Sequence, residues 1–436
     1  MRRERESVIA VQPASSWKEE EATSGANMRI IGMDIHRNFA EAAALEDGVI
    51  KRLGRIGLTR QHLHDFARTL LPTDHVVVEA TGNATAVTEI IAPHVARVAV
   101  ANPLQVHLIA KAKTKTDAID ARVLAKLYAA GFLPEVWVPD EATLARRRQV
   151  TRRRQLVRQR VRLKSIIQSI LHANLAPQCP FADLLGGKGR SWLKAQYLPD
   201  DEREAVERHV EEYDRLSDAL KGVERDIARA ALTDPDVKRL MTIPGIDMVV
   251  AVGVMAAIGR IGRFDSPDKL VAYIGLNPSV HQSGDSPAYH GRITKRGCSN
   301  ARHLLVEAAW QTVRSPGPLR AFYERVRAKR GNHIAAVGVA RKLAVLIWHL
   351  LTKGEDYKWV RPALHAKKVR DLELRAGHPQ RRGQKGASYD YNISQRRNEE
   401  RDRVLHAEEA YRGLTTGWRR RGPRVQLTDA ANEERR

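Results

Sequence analysis

Two short stretches decide the fold: RIIGMDIHR, Arg29–Arg37, and HVVVEATG, His75–Gly82. Each opens as a short apolar run and reads as a strand. Each run ends in a carboxylate, Asp34 in the first and Glu79 in the second. An acid at the end of an apolar strand is costly unless it finds a partner or a metal. Working outward, Phe39–Leu45, Val49–Gly57 and Val95–Ala101 also read as strands, while Thr59–Leu71 and Ala84–Pro93 have helical spacing. Three strands followed by alternating helix and strand form an α/β pattern, a sheet with helices on its faces. Ligands of such sheets gather at the carboxyl ends of the strands.

Downstream lies KTKTDAIDARVLA, residues 113–125. Thr116 is a good N-cap, and Asp117–Ala130 has helical periodicity. Asp117 and Asp120, three apart, share one helix face. Alone they also fit a structural role, as anions near the positive end of the helix dipole. Together with Asp34 and Glu79 they form a set that could converge on one point. Oxygen ligands of this kind suit Mg²⁺ or Mn²⁺, and a metal pair held so can serve phosphodiester chemistry.

The charge balance supports such a division of labour. The 436 residues carry 74 Lys+Arg against 51 Asp+Glu, a net charge of +23 that points first to nucleic acid. Residues 28–140 hold 13 basic and 12 acidic groups, so this segment is almost neutral, with Lys111, Lys113 and Lys115 offsetting its acids. Residues 237–360 hold 19 and 8. With 43% apolar residues the chain can build real cores, and its length suits two or three domains. Cys179 and Cys298 make no disulfide framework or zinc spacing. The longest apolar run, Met248–Ile258, is too short for a membrane span, and the N-terminus has no signal-peptide core. A cytoplasmic chain with no membrane partner is expected.

Residues 1–27 lack hydrophobic periodicity, and Met28 offers a second start as plausible as Met1. Residues 141–236 read as a coiled-coil hairpin of long helices. Its first helix has 10 basic residues among the 19 from Arg146 to Lys164. Arg146, Arg147, Arg148, Arg152, Arg153, Arg154 and Arg158 are candidates to track a phosphate backbone; a solvated helix face is the plainer reading. The partner helix repeats Val206, Val210, Tyr213, Leu216 and Leu220 at heptad steps. Residues 237–360 read as a mainly helical second domain. It opens on a helix-hairpin-helix-like IPGI turn (243–246), with Asp247 where glycine is more usual, so a structural turn is favoured over a phosphate grip. A Gly-, Ser- and Pro-rich loop follows, carrying Ser283 and the cations Arg292, Lys295, Arg296 and Arg302. A serine there is most often a turn residue, but one activated beside basic groups can attack phosphorus. Residues 361–436 read as a basic tail, loosely ordered or in short helices.

The strings GMDIHR, VVVEATG, NPLQV and KTKTDAIDARVLA, then IPGI, GLNPS, SG and GRITKRG in order, resemble the insertion-sequence family one-ten DEDD transposases. The resemblance implies a RuvC-like, ribonuclease-H-type fold over 28–140 with Asp34, Glu79, Asp117 and Asp120 as a metal-binding tetrad. It implies that Ser283 attacks DNA to form a phosphoserine link, with Ser286 a competitor. It also implies assembly into dimers or tetramers through the coiled coil and a structured guide RNA beside the DNA partner, in a prokaryotic cell. Two rival readings stay open: a RuvC-like nuclease using water, and a non-catalytic nucleic-acid-binding protein. The residue after Asp34 is not the glycine that actin-like sugar kinases use to admit phosphate, so an ATP site is not expected.

Overall fold

The computed structural model describes residues 28–110, 116–282, 284, 288–379 and 393–416. The N-terminal extension, Ser283, Ser286 and the end of the tail lie outside the described residues. The sheet comprises β1 (Ile30–Ile35), β2 (Phe39–Glu46), β3 (Val49–Gly57), β4 (His75–Glu79) and β5 (Arg97–Ala101), in the order β3-β2-β1-β4-β5. The first three strands pair antiparallel, and β1, β4 and β5 pair in parallel. Helices α1 (Arg60–Ala67) and α2 (Ala84–Ile91) cover one face, packing Leu63, Val87 and Ile91 on Ile31, Met33, Val76 and Val78. After the short helix α3 (Pro103–Ile109), α4 (Asp117–Ala129) covers the other face, with Leu124 and Ala125 on Ile30, Val77 and Ala99. Cover on both faces explains why β1 and β4 read as nearly continuous apolar runs.

One residue sets how close α4 can come. A Cβ on Gly32 would lie 2.0 Å from the carbonyl oxygen of Ala121, so helix backbone rests directly on β1. Because strand side chains alternate, Gly32 and Asp34 share that face, as do Val77 and Glu79. At the other end of α4, the Tyr128 hydroxyl lies 2.8 Å from His75 Nδ1 at the start of β4. The helix therefore runs across β1, resting also on β2 and touching the start of β4, and its first turn lies near the carboxyl end of β1.

Two long helices follow, α5 (Glu141–Ala173) and α7 (Asp200–Thr233), separated by α6 (Gly187–Lys194). Arg153 pairs with Glu224, and Arg160 donates to the Tyr213 hydroxyl, so α5 and α7 lie antiparallel. Ile167, Leu171, Val206 and Tyr213 bury with Leu184 and Leu193 at one end.

The largest core gathers α8 (Pro235–Met241), α9 (Met248–Ile258), α10 (Pro267–Ile274), α11 (Ser299–Thr312), α12 (Pro318–Arg330) and α13 (Asn332–Lys353). Helix α9 is apolar all round and buried along almost its whole length, as expected of a central core helix. Helix α13 is long and apolar enough to cross a membrane, but Val339, Ala340, Leu343, Ala344 and Ile347 are wholly buried in this core. Residues 275–298, expected as a loop, include an antiparallel pair, β6 (Pro278–His281) and β7 (Tyr289–Ile293). Their brevity and Gly-, Ser- and Pro-rich setting gave little strand signal.

The tail is more structured than its composition suggests. Helices α14 (Pro362–Ala376) and α15 (Ser394–Thr416) pack on the core side through Leu372, Ala376, Val404 and Ala407. Glu400 accepts from the Ala363 N–H, and Glu408, 2% exposed, accepts from Gly317 N–H and pairs with Arg320. Lys368 reaches into the IPGI turn and donates to the carbonyls of Met241, Ile243 and Ile246 at 2.8–2.9 Å. Burial pushes its ammonium down to about 8. The Thr312 hydroxyl donates to the Pro244 carbonyl in the same turn. These contacts tie the turn into the protein interior.

Replacing Lys368 with Met is expected to cost about 2–4 kcal/mol, since three interior carbonyls lose a donor. Gly32→Val, which forces α4 off the sheet, is expected to cost about 3 kcal/mol or more. Urea unfolding followed by circular dichroism measures both, and unchanged midpoints would contradict these assignments.

Candidate metal centre

The register of β1 and β4 runs from Ile30 opposite His75 to Met33 opposite Val78. One further step sets Asp34 beside Glu79. Asp34 is only 6% exposed. Thr116 caps α4 by accepting from the Ile119 N–H, which starts the helix with Asp117 and Asp120 in its first turn. Of the four carboxylates expected from the sequence, Asp34 and Asp117 come together, whereas Glu79 ends β4 and Asp120 stands in the first turn of α4 outside their cluster.

The tightest cluster contains a residue the sequence reading did not select. His36 Nε2 is 3.2 Å from Asp34 Oδ2 and 3.3 Å from Asp117 Oδ1. Ligand atoms of Asp34, His36 and Asp117 all lie within 4.8 Å of one another. The His36 backbone is held on both sides. Its N–H donates to the Phe39 carbonyl at 2.9 Å across the β1–β2 turn, and its carbonyl accepts from Asn83 Nδ2 at 3.0 Å. Asn83 is fixed in turn by the Thr81 hydroxyl. The ATGN segment after Glu79 therefore steadies the imidazole.

A fifth acid lies on the same face. Glu41 stands directly opposite Asp34 in the β1–β2 register and is 1% exposed. Arg52 donates to its Oε1 at 2.6 Å, and this hydrogen bond raises the Arg52 pKa. Arg55 Nε approaches Glu41 Oε2 at 3.4 Å, while its Nη2 lies 3.8 Å from Asp117 Oδ2. Arg55 thus spans from the buried Glu41 to the edge of the cluster. A strand-alternation argument applied to FAEAAALE would have found Glu41 as an inward acid.

The predicted nucleic-acid contacts divide sharply. Arg146 pairs with Asp234 at 2.7 Å, Arg148 with Glu141 and Arg153 with Glu224. Arg147 donates to the Ala256 and Ala257 carbonyls beneath Trp137. Arg302 donates to the Ile274 carbonyl at 2.9 Å, and burial lowers its pKa. Arg152, Arg154, Arg158, Arg292, Lys295 and Arg296 have no acidic partner among the described residues and lie at least partly at the surface.

This acidic sheet end falls within a segment with known relatives. Residues 31–174 match a family model described as a transposase, of the DEDD type associated with IS110, and residues 237–324 match the model described as the transposase IS116/IS110/IS902 family. The chain belongs to this transposase family. It is 34% identical over 149 residues to the transposase for insertion sequence element IS1111A of Coxiella burnetii, covering 32% of this chain and 40% of that protein. It is 34% identical over 213 residues to the putative transposase y4qE of Sinorhizobium fredii, covering 47% and 49%. The chain thus spans less than half the length of these two relatives. It is 27% identical over 304 residues to the pilin gene-inverting protein of Moraxella bovis, covering 65% of this chain and 82% of that protein.

A DEDD transposase domain suggests use of a divalent metal, and the donor set fits one. His36 Nε2 is buried and makes no hydrogen bond, although two carboxylate oxygens face it. Asp34, His36 and Asp117 could therefore hold an ion in this transposase-family chain. Electron paramagnetic resonance of free Mn²⁺ should detect binding by the wild type. Asp34→Asn and His36→Ala are each expected to weaken it on the order of 10–100-fold. Wild-type affinity in the His36 variant would remove the imidazole from the ligand set.

Proposed function

We propose that this protein is a DNA transposase and recombinase that cuts and rejoins strands through Ser283, assisted by divalent metal at Asp34, Glu79, Asp117 and Asp120. The observation that carries the proposal is the gathering of Asp34, His36 and Asp117 within 4.8 Å at the strand ends. It lies in a chain whose two matched segments follow the order expected of the family. The name of the Moraxella relative, a pilin gene-inverting protein, speaks for DNA rearrangement in that protein and supports the same class of reaction here.

In the proposed reaction Ser283 Oγ attacks a backbone phosphorus, forming an O–P bond as the bond to a deoxyribose oxygen breaks. The serine loses its hydroxyl proton and the leaving oxygen gains one. The phosphodiester is conserved in the protein link, so a second deoxyribose hydroxyl can reverse the step on another strand without ATP. A bound divalent ion would stabilise charge on the phosphate oxygens. Two carboxylates favour Mg²⁺ or Mn²⁺, and the His36 nitrogen suits a transition ion such as Mn²⁺. Asp34 and Asp117 would hold the ion together with Glu79 and Asp120, His36 would add a nitrogen ligand, and Arg55 would limit repulsion between Asp117 and the buried Glu41.

Resemblance to the family supports a structured guide RNA and assembly of several copies through α5 and α7, acting in the prokaryotic cytoplasm. Arg152, Arg154, Arg158, Arg292, Lys295 and Arg296, without an acidic partner among the described residues, are the best candidates for phosphate contacts.

Labelled element-end DNA, Mg²⁺ and RNA transcribed from the flanking non-coding end provide the test. Wild type should form a covalent protein–DNA adduct that survives denaturing electrophoresis, and both Ser283→Ala and Asp34→Asn should lose it by at least about 100-fold. An adduct that persists in Ser283→Ala excludes this serine as nucleophile. Cleavage without any adduct would favour a nuclease using water.

A further inference from the structure

A cleft of about 460 Å³ lies between α5 and the start of α11, floored by α9. That volume falls in the usual range for small-ligand sites, roughly 300–1,000 Å³. Its apolar surface comes from Val150, Val157, Val252 and Leu304. The α5 contribution is a continuous helical stripe, at steps of three and four from Val150 to Arg158. Arg154 and Arg158 belong to this stripe and have no acidic partner among the described residues, whereas Arg153 beside them is paired with Glu224. No acid is among the lining residues, and Asn300 supplies an amide on the facing wall.

An apolar recess edged by two guanidinium groups that no described acid neutralises selects a ligand with a flat apolar body and an anionic end. The chain's own C-terminal segment beyond residue 416, with six Arg against three acids, has the wrong charge for it. A duplex, about 20 Å across, cannot enter a cleft of this volume. One nucleotide can, with its base among the valines or stacked on a guanidinium plane and its phosphate on the arginines.

We propose that this cleft takes an unpaired nucleotide, its base seated on Val150, Val157 and Val252 and its phosphate held by Arg154 and Arg158. This inference rests on the nucleic-acid reading above and adds to it a single-strand site remote in sequence from the carboxylates. An unpaired or displaced strand avoids the cost of unstacking a base from a duplex. Either DNA or RNA can supply that nucleotide.

The full-length protein would be titrated, by fluorescence anisotropy at 0.15 M salt, into labelled dT12, rU12, an abasic 12-mer and a blunt 12-base-pair duplex. Wild type should bind at least one base-bearing strand about tenfold more tightly than the abasic strand; the tighter of dT12 and rU12 names the source. Val157→Trp, which fills the recess, should abolish that preference while duplex affinity stays within about twofold. Arg154→Gln with Arg158→Gln should weaken both single strands about tenfold and flatten their salt dependence. This double variant lies on the partly exposed side of α5, and thermal melting checks that both variants fold. Equal wild-type affinity for base-bearing and abasic strands overturns the proposal, as does a preference that survives Val157→Trp. Absence of binding to every probe would overturn the nucleic-acid reading itself.

Discussion

The close seating of α4 on β1 is the contact on which the candidate centre depends. Gly32 removes the side chain that would hold helix and sheet apart, and the Ala121 carbonyl occupies the space a Cβ would need. Asp34 follows two residues later on the same face, and Asp117 lies one helical turn before Ala121. The meeting of the two acids is thus a consequence of backbone packing. It brings like charges together where burial makes repulsion expensive. The surrounding groups answer that cost: His36 lies between the two carboxylates, and Arg52 and Arg55 approach Glu41 from β3.

The same economy governs the basic residues. Arg147 and Arg302 satisfy interior carbonyls, and Arg146 and Arg153 fasten α5 to neighbouring helices. An arginine suits such joints because its planar fork can span two acceptors while its stem packs on apolar surface. The positive charge left for an outside partner is therefore narrower than the composition of α5 suggests, and it follows the Arg154–Arg158 edge and the β7–α11 connection.

Much of the α/β domain was legible because its signals are local. Apolar runs set the strands within a residue or two, Thr116 marked the start of α4, and Asp34 marked the end of the sheet where the candidate centre lies. His36 was not found because its role comes from the turn geometry and from Asn83, 47 residues away. Glu41 was within reach of strand alternation along β2, and only its partners Arg52 and Arg55 on β3 depend on the pairing of strands. The tail helices were obscured for a similar reason: their polar composition suggests solvent, while Glu400, Glu408 and Lys368 reach partners far along the chain. Ser283 rests on motif order, and its geometry lies outside the described residues.

The Lys368 contact also bears on how the molecule is made. The Met241 carbonyl must wait for a donor 127 residues downstream. At a synthesis rate of ~5–20 residues per second, that interval is roughly 6–25 s. During it the emerging turn and its apolar helices lack their final tether, while the α/β domain already has every strand of its sheet. The candidate centre can therefore mature on the ribosome before the helical half is locked, and the last helices to emerge complete a core begun far earlier.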